Sequence, residues 1–252
     1  MKYMEVISTG IPELDLALGG GLVKGGLIVV SYESDLNGSA GWILGLKIFK
    51  NRIDNEDLGI LINHRYPLSK LFNRLSIVGL NAEAMLREGR LKILDVFGSQ
   101  YDIKYPYEGV KQFGSFDPRT YIPKMVELFE KLLTPTQIEN SIGAIFTTGA
   151  FAMRIGEERY MEIIEESMAF NEKLKLEKGI SFPTRIYFLN KDEVSPRFSA
   201  WLSSIADQVI SISSHEVENR IGGKLRITKS ILPNFELKSF RYWVVRGGIE
   251  IL

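Results

Sequence analysis

The sequence predicts an α/β fold in which a mainly parallel, twisted sheet is covered by helices on both faces. Short apolar runs alternate with longer amphipathic stretches, which is the pattern of parallel strands joined by helices. Residues 26–31 form a continuous run typical of a strand that is buried on both sides. From residue 215 onward the pattern changes to that of antiparallel strands, so we expect the sheet to end in antiparallel C-terminal strands.

The individual elements follow in chain order. The helix predicted at 67–78 has apolar residues spaced three and four apart, at Leu68, Leu71, Phe72 and Leu75. The remaining predicted helices are 41–50, 121–133 and 160–175. Predicted strands are 26–31, 58–63, 91–96, 141–147, 181–189, 208–213, 223–229, 238–245 and 249–252, with a turn at 232–234.

Composition narrows the classes of function. The chain has 252 residues, 45% hydrophobic, and no linker or repeat interrupts it, so we expect one domain over 1–252. With 31 basic and 31 acidic residues there is no global attraction for nucleic acid. The absence of cysteine excludes disulfides and zinc–thiolate sites. No apolar run has the ~18 residues of a membrane span, so we expect a cytoplasmic protein with no membrane partner.

The N-terminal segment carries the most specific pattern. Residues 8–30 read S-T-G-I-P-E-L-D-L-A-L-G-G-G-L-V-K-G-G-L-I-V-V. This segment resembles the KaiC branch of the RecA-like ATPases, whose members begin T-G-I-P-x-L-D-x-x-L-G-G-G-L-x-x-G. The resemblance continues in E-G-x-L-x-I-L-D at 88–95 and in the closing strand at 247–251. It covers nearly the whole chain and implies a RecA-like P-loop NTPase fold.

The phosphate-binding loop that the resemblance implies is degenerate. A P-loop, G-x-x-x-x-G-K-[ST], binds phosphates through its backbone amides. Its lysine contacts the β- and γ-phosphates, and its Ser or Thr hydroxyl is a ligand of magnesium. Residues 32–41 read Y-E-S-D-L-N-G-S-A-G and contain no lysine. Two alignments place either Asn37, Gly38 and Ser39, or Gly38, Ser39 and Ala40, at the positions of glycine, lysine and hydroxyl.

The charge of this loop also opposes polyphosphate. Glu33 and Asp35 bring two carboxylates to a place built for anions, where they would repel ATP. The alternative is that the loop is only a strand-to-helix turn, with Asp35 or Asn37 capping the helix. We therefore expect no bound cofactor, with ATP or ADP disfavoured.

The other catalytic positions that the resemblance implies are also replaced. Thr147 stands at the magnesium-ligating aspartate, and a hydroxyl is a poor substitute for a carboxylate beside Mg²⁺. His64 and Arg65 stand at the glutamate pair that contains the general base. His64 could act as a base, but without the lysine and the metal ligand a structural histidine is the favoured interpretation. We expect no metal site.

A fourth position concerns assembly. Members of the resembled family complete a neighbouring site with a K-x-R segment near the C-terminus. Here that segment is Lys229-Ser230-Ile231, so the lysine matches and the arginine is lost. Lys229 alone is most simply interpreted as a solvated side chain.

Two features are candidates for the present function. The first is the aromatic segment, residues 98–121, where exposed rings in a loop would serve as interface anchors. The candidate anchors are Tyr101, Tyr105, Tyr107, Phe113 and Phe116, accompanied by Tyr121. The alternative is an irregular connection packed on its own rings. The second is the vacated nucleotide cleft at the carboxyl ends of the strands.

These observations favour a catalytically inactive KaiC/RecA-like homologue, not an enzyme, that acts as a protein- or peptide-binding or assembly module. Because RecA-like proteins assemble through subunit faces, a homo-oligomer is compatible with this hypothesis. One alternative is a nucleotide-binding sensor of the same fold with little or no ATP hydrolysis. Another is a recombinase-like partner on DNA, which the zero net charge disfavours.

Overall fold

A computed structural model of the chain describes residues 4–34, 40–114, 117–217 and 220–252, without side chains for 215–217 and 220. Within these ranges the strands are β1 (Val6–Ile7), β2 (Leu22–Val23), β3 (Leu27–Tyr32), β4 (Leu58–Asn63), β5 (Leu91–Asp95), β6 (Val110–Lys111), β7 (Ser141–Ile145), β8 (Thr184–Asn190), β9 (Gln208–Val217), β10 (Arg220–Ser230), β11 (Ser239–Val245) and β12 (Gly248–Ile251).

The helices of the same ranges lie between these strands. They are α1 (Pro12–Leu18), α2 (Ala40–Asp54), α3 (Leu68–Ile77), α4 (Ala82–Arg87), α5 (Val96–Gln100), α6 (Tyr121–Leu132), α7 (Pro135–Glu139), α8 (Thr148–Ile155), α9 (Glu157–Lys178) and α10 (Pro196–Ile205). Short 3-10 turns lie at Pro118–Thr120 and Lys191–Glu193. No helix in the described part of the chain is long and apolar enough to cross a membrane.

The described residues form a ten-stranded sheet in the order β12-β11-β10-β9-β3-β8-β7-β4-β5-β6. At its centre β3 pairs in parallel with both β8 and β9, and Val29 lies opposite Tyr187 and Val209. The strands from β8 to β6 continue in parallel. Beyond β9 the strands β10, β11 and β12 add antiparallel. The predicted mainly parallel sheet with antiparallel C-terminal strands is confirmed.

Helices cover both faces of the sheet. Side chains along the central strands point alternately to one face and the other, so each strand contributes to both cores. Ile28 and Val30 of β3 belong to the core that includes α2 and α3. Val29, between them, belongs to a second core that includes α6, α8, α9 and α10. All three side chains are buried. The alternation explains why a run of apolar residues without a polar position is needed here.

The N-terminal motif has a packing role in this fold. Asp15 of α1 accepts a hydrogen bond from the backbone N–H of Thr9 at 2.7 Å. Gly21 has a φ of 134°, and a Cβ there would lie 2.4 Å from the carbonyl oxygen of Ile7. Gln208 of β9 joins this segment to the sheet, accepting from Val23 N at 3.0 Å and donating to Gly21 O at 2.9 Å. These contacts hold α1 on the sheet without any nucleotide chemistry.

The predicted elements are present with small shifts of their ends, and several short helices were not predicted. Helix α9 is longer than predicted, and its buried residues are Tyr160, Ile163, Ile164 and Leu174. Helix α10 was not predicted, although its first residues carry a start signal. Ser195 caps the helix by accepting from Phe198 N at 3.1 Å, and Pro196 follows.

Candidate functional site

The carboxyl ends of β3, β8, β7, β4 and β5 lie at one edge of the sheet, because these strands are parallel and adjacent. We call this the carboxyl edge. In α/β sheets this edge is where ligands bind. It brings together residues that are far apart in the sequence: Tyr32, His64, Asp95, Thr147 and Asn190.

Tyr32, the last residue of β3, packs under the first turn of α2. A Cβ on Gly41 would lie 2.3 Å from the Tyr32 ring, so the ring and the helix fit together only because residue 41 is glycine. Burial raises the pKa of Tyr32 above its ordinary value, and the nearby Glu193 carboxylate adds to this. The hydroxyl therefore stays neutral. Ala40, one of the predicted loop positions, begins α2 and is 1% exposed.

Four further side chains pack together between α2, α3 and the ends of β4 and β7. The guanidinium carbon of Arg74 lies 4.7 Å from the ring centroid of Tyr66 and 5.3 Å from that of Trp42. The edge of Phe146 meets Trp42, with centroids 6.2 Å apart. Cation–π and edge-to-face contacts of these kinds are attractive. We call Tyr32, Trp42, Tyr66, Arg74 and Phe146 the aromatic plug.

The other side of the carboxyl edge is tied together by polar contacts. Arg65 Nη1 lies 2.7 Å from Glu193 Oε1. Ser34 N donates to Asp192 Oδ2 at 2.5 Å, and Asn190 Nδ2 donates to Ser34 Oγ at 2.7 Å. Lys191 and Glu33 lie 3.5 Å apart. Glu33, one of the two carboxylates expected to repel anions, therefore has a cationic neighbour in Lys191. Arg65 forms an ion pair with Glu193, a carboxylate of the chain itself.

His64 is enclosed by aromatic rings. Its ring stacks on Phe151 with centroids 3.9 Å apart, and Nε2 lies 3.0 Å from the Tyr121 hydroxyl. The side chain is 3% exposed, and its buried Nδ1 has no hydrogen-bond partner among the described residues. Burial, aided by the positive charge of Arg154, lowers the pKa of His64 from 6.5 to about 3. Such an imidazole is a weak base, so the geometry favours the structural interpretation.

Thr147 follows β7 as the residue before α8. Its side chain is buried, and its Oγ1 has no hydrogen-bond partner in the described structure. Among the described residues, no group of three or more histidine, aspartate or glutamate side chains is arranged to hold a metal ion. Asp95, at the end of β5, accepts from Asn63 Nδ2 at 2.8 Å and from Gly98 N at 3.0 Å. Burial raises the pKa of Asp95.

Lys229 is bound, contrary to the simple expectation of a solvated side chain. Its Nζ lies 2.6 Å from the carbonyl oxygen of Ser204 and 3.4 Å from that of Ser203, in the last turn of α10. A cation is favourable at a helix C-terminus, where carbonyl groups lack partners in the helix. Lys229 therefore has a structural contact within its own chain.

The aromatic segment is largely packed on the protein itself. The prediction that Phe113 is an exposed anchor is wrong: it is 6% exposed and stacks on Tyr121, because both rings cover the core under α6. Tyr105 and Tyr107 are half-buried against the other core. Of the described candidates, Tyr101 is exposed, at 57%. Phe116 and the loop positions Asp35, Asn37, Gly38 and Ser39 lie outside the described residues, and so does the alternative that Asp35 or Asn37 caps the helix.

Replacing Tyr105 and Tyr107 with serine is expected to reduce the free energy of unfolding by about 1–3 kcal/mol in total. Tyr105 Oη accepts from Leu68 N at 3.3 Å, and Tyr107 Oη donates to Glu83 at 2.8 Å beside the Phe72 ring. Urea unfolding measures the change. The exposed Tyr101→Ser control should stay within about 0.5 kcal/mol of the native chain. An unchanged double variant would contradict this packing role.

The sheet order and the carboxyl edge define a mainly parallel α/β fold with antiparallel C-terminal strands. No protein-family model matches the chain. The circadian clock oscillator protein KaiC of Prochlorococcus marinus (strain MIT 9313) is 28% identical over 113 residues, which are 44% of this chain and 22% of KaiC. The matched stretch thus spans about a fifth of that relative's length.

Two crystal structures from Pyrococcus horikoshii share the fold over almost the entire chain. The uncharacterized protein PH0321, crystallised in complex with an unknown peptide, has a TM-score of 0.79 and 22% identity, covering 98% of each chain. The KaiC-like protein PH0186 of strain OT3 has a TM-score of 0.71 and 17% identity, covering 99% of this chain and 100% of its own. The chain therefore has a KaiC-like, RecA-type fold.

Proposed function

We propose that this chain is a KaiC-like ATPase homologue that does not hydrolyse ATP and acts as a protein- or peptide-binding module. The observation that carries this proposal is the aromatic plug. Its rings and the Arg74 guanidinium pack around the first turn of α2, at the edge of the sheet where a RecA-type fold would hold phosphates. We infer that these side chains compete with a triphosphate for space at this edge.

The chemistry of the same edge supports inactivity. Thr147 offers a hydroxyl in place of a carboxylate for magnesium. Burial leaves His64 with a pKa of about 3, far below the range in which a general base works at neutral pH. Arg65 is held by Glu193 at 2.7 Å. No metal or cofactor is part of the proposed function.

Peptide or protein binding is the property that the comparisons favour. PH0321, with the same fold over 98% of this chain, was crystallised with an unknown peptide. A fold that assembles through its subunit faces also allows this chain to associate with further copies of itself. The binding activity requires no catalytic residue, so it is compatible with every substitution at the carboxyl edge.

Adding millimolar Mg-ATP or Mg-ADP is expected to leave the melting temperature unchanged. A ligand present at about 100 times its Kd would add ~2.7 kcal/mol, which for a chain of this size raises the melting temperature by roughly 5–10 °C. Differential scanning fluorimetry with MgCl₂ alone as the control measures the shift. A clear rise with either nucleotide would replace the proposed function with that of a nucleotide sensor.

A further inference from the structure

A groove runs between α6 and α9 on the sheet face opposite α2. Its inner part is a cavity of about 50 Å³ above β7 and β8, and it adjoins a wider depression of about 280 Å³. The two parts share the walls Val126, Phe129, Phe170 and Phe182. The depression reaches the surface beside Glu130 and Lys178, which form an ion pair at 3.6 Å and whose side chains are more than half exposed. We call this the helix groove.

Arg185 of β8 lies at the inner end of the helix groove. Its side chain is buried, at 7% exposure for the residue, and Nη1 donates to Ser167 Oγ at 3.0 Å. The guanidinium carbon lies 5.5 Å from the Phe182 ring centroid. Nε is buried without a hydrogen-bond partner, and no carboxylate of the described residues forms an ion pair with Arg185.

A comparison with Arg52 shows how this protein pairs an enclosed arginine. The Arg52 side chain is 12% exposed, and Nε and Nη2 each donate to an Asp57 oxygen, at 2.7 and 2.9 Å. Among the described residues, the contacts of the Arg185 guanidinium are with neutral groups, the Ser167 hydroxyl and the Phe182 ring. Burying a cation without a counter-charge costs free energy. A carboxylate that enters the groove would supply the missing counter-charge and reduce that cost.

The shape of the groove favours a peptide side chain over a free acid with a long alkyl tail. The cavity beside Arg185 has room for about three or four water molecules, which fits a carboxylate and its methylene group. Beyond it the groove is an open depression with Phe129, Leu133, Phe170 and Leu174 in its walls. A large apolar side chain next to the acidic one can lie in that depression, whereas an alkyl chain would leave one side in water.

We propose that the helix groove binds a peptide segment that places an aspartate or glutamate carboxylate on Arg185 and an adjacent large apolar side chain between Phe129 and Phe170. This inference rests on the proposed function and names the site and the chemistry of its partner. The carboxylate reaches the unpartnered Nε–H, and the bond is charge-assisted. The carboxyl edge takes no part in the contact.

The test compares two peptides labelled at the N-terminus, fluoresceinyl-Leu-Phe-Asp-Leu-Phe-amide and the same peptide with asparagine in place of aspartate. We expect the native chain to bind the acidic peptide about tenfold or more tightly, since a hydrogen bond to a charged group distinguishes carboxylate from amide. Fluorescence anisotropy gives the affinities. The Nε–Hε NMR signal of Arg185 should move with the acidic peptide and stay in place with the amide.

Arg185→Met is expected to bind both peptides equally and to remain folded, because an apolar side chain replaces an unpaired buried charge. Arg197→Met is the matched control, since Arg197 lies on α10 with its side chain 76% exposed. It should keep the preference for the acidic peptide. If Arg185→Met fails to fold, the Nε–Hε signal of the native chain still decides the question.

Three results would overturn the inference. These are equal affinity of the native chain for the two peptides, a preference that survives Arg185→Met, and binding of decanoate by a chain that binds neither peptide. The last would assign the groove to a lipid acid. A nucleotide-induced rise in melting temperature would defeat the proposed function and leave the peptide result standing, so the two failures are distinguishable.

Discussion

Lowering the pH from about 7 to about 5 is expected to reduce the free energy of unfolding of the native chain by about 2 kcal/mol more than that of His64→Gln. His64 is buried between Phe151 and Tyr121, and its pKa in the folded protein is about 3. In the unfolded chain it returns to 6.5. Between about pH 6.5 and about pH 3, the unfolded chain therefore binds a proton on His64 that the folded protein does not bind.

The difference between the two pKa values sets the direction in which the stability changes with pH. A depressed basic pKa stabilises the folded state above the unfolded value of 6.5, and that stability is lost as the pH falls towards about 3. Glutamine does not titrate, and its amide can reach the Tyr121 hydroxyl. Other groups, including Asp95, are present in both proteins, so the difference between the two profiles isolates residue 64.

Urea unfolding at several pH values measures both profiles. His64→Gln will differ from the native chain in absolute stability, but this offset does not affect the comparison of slopes. Parallel profiles between about pH 7 and about pH 5 would show that His64 titrates normally, and the aromatic enclosure of the imidazole would then be wrong.

Much of the fold could be predicted because its signals are local. The strand at 58–63 is an uninterrupted buried run, and the helix predicted at 67–78 has apolar residues at regular helical spacing; the structure has Leu58–Asn63 and Leu68–Ile77. Helices α1, α4, α5, α7 and α8 were not predicted, because five to eight residues are too few for periodicity to appear. The ten-residue α10 was also missed.

The carboxyl edge could be predicted only in part. Its location could be predicted, with His64, Arg65 and Thr147 close to it, since parallel strands end at a common edge. The partners could not be predicted: Arg74 lies on α3, and Glu193 is 128 residues away from Arg65. Arg185 gave no sequence signal either, since an arginine in a strand reveals its missing counter-charge only when the surrounding side chains are placed.

The aromatic segment shows where composition was insufficient. A cluster of rings among glycines and prolines is equally consistent with exposed anchors and with a covering loop. Phe113 and Tyr121 are buried because the segment crosses the edge of the sheet between β5 and α6, where two cores need covering. Tyr101, on the turn after α5, has no such core beneath it and remains exposed.

The second large effect that we expect is the absence of ATP turnover. In such a reaction, a lysine, a metal ion and a positioned base each stabilise the transition state by several kcal/mol. The loop segment has no lysine. Residue 147 is a buried threonine, and His64 has a pKa of about 3. Restoring one group, as in Thr147→Asp, should not rescue activity, because the aromatic plug and the loop are unchanged.

Phosphate release from Mg-ATP by the purified chain tests the absence of ATP turnover most directly. We expect a rate equal to that of a protein-free blank, for the native chain and for His64→Gln alike. Phosphate release that elutes with the native chain in gel filtration and disappears in folded His64→Gln would contradict it, since His64 would then be a working base.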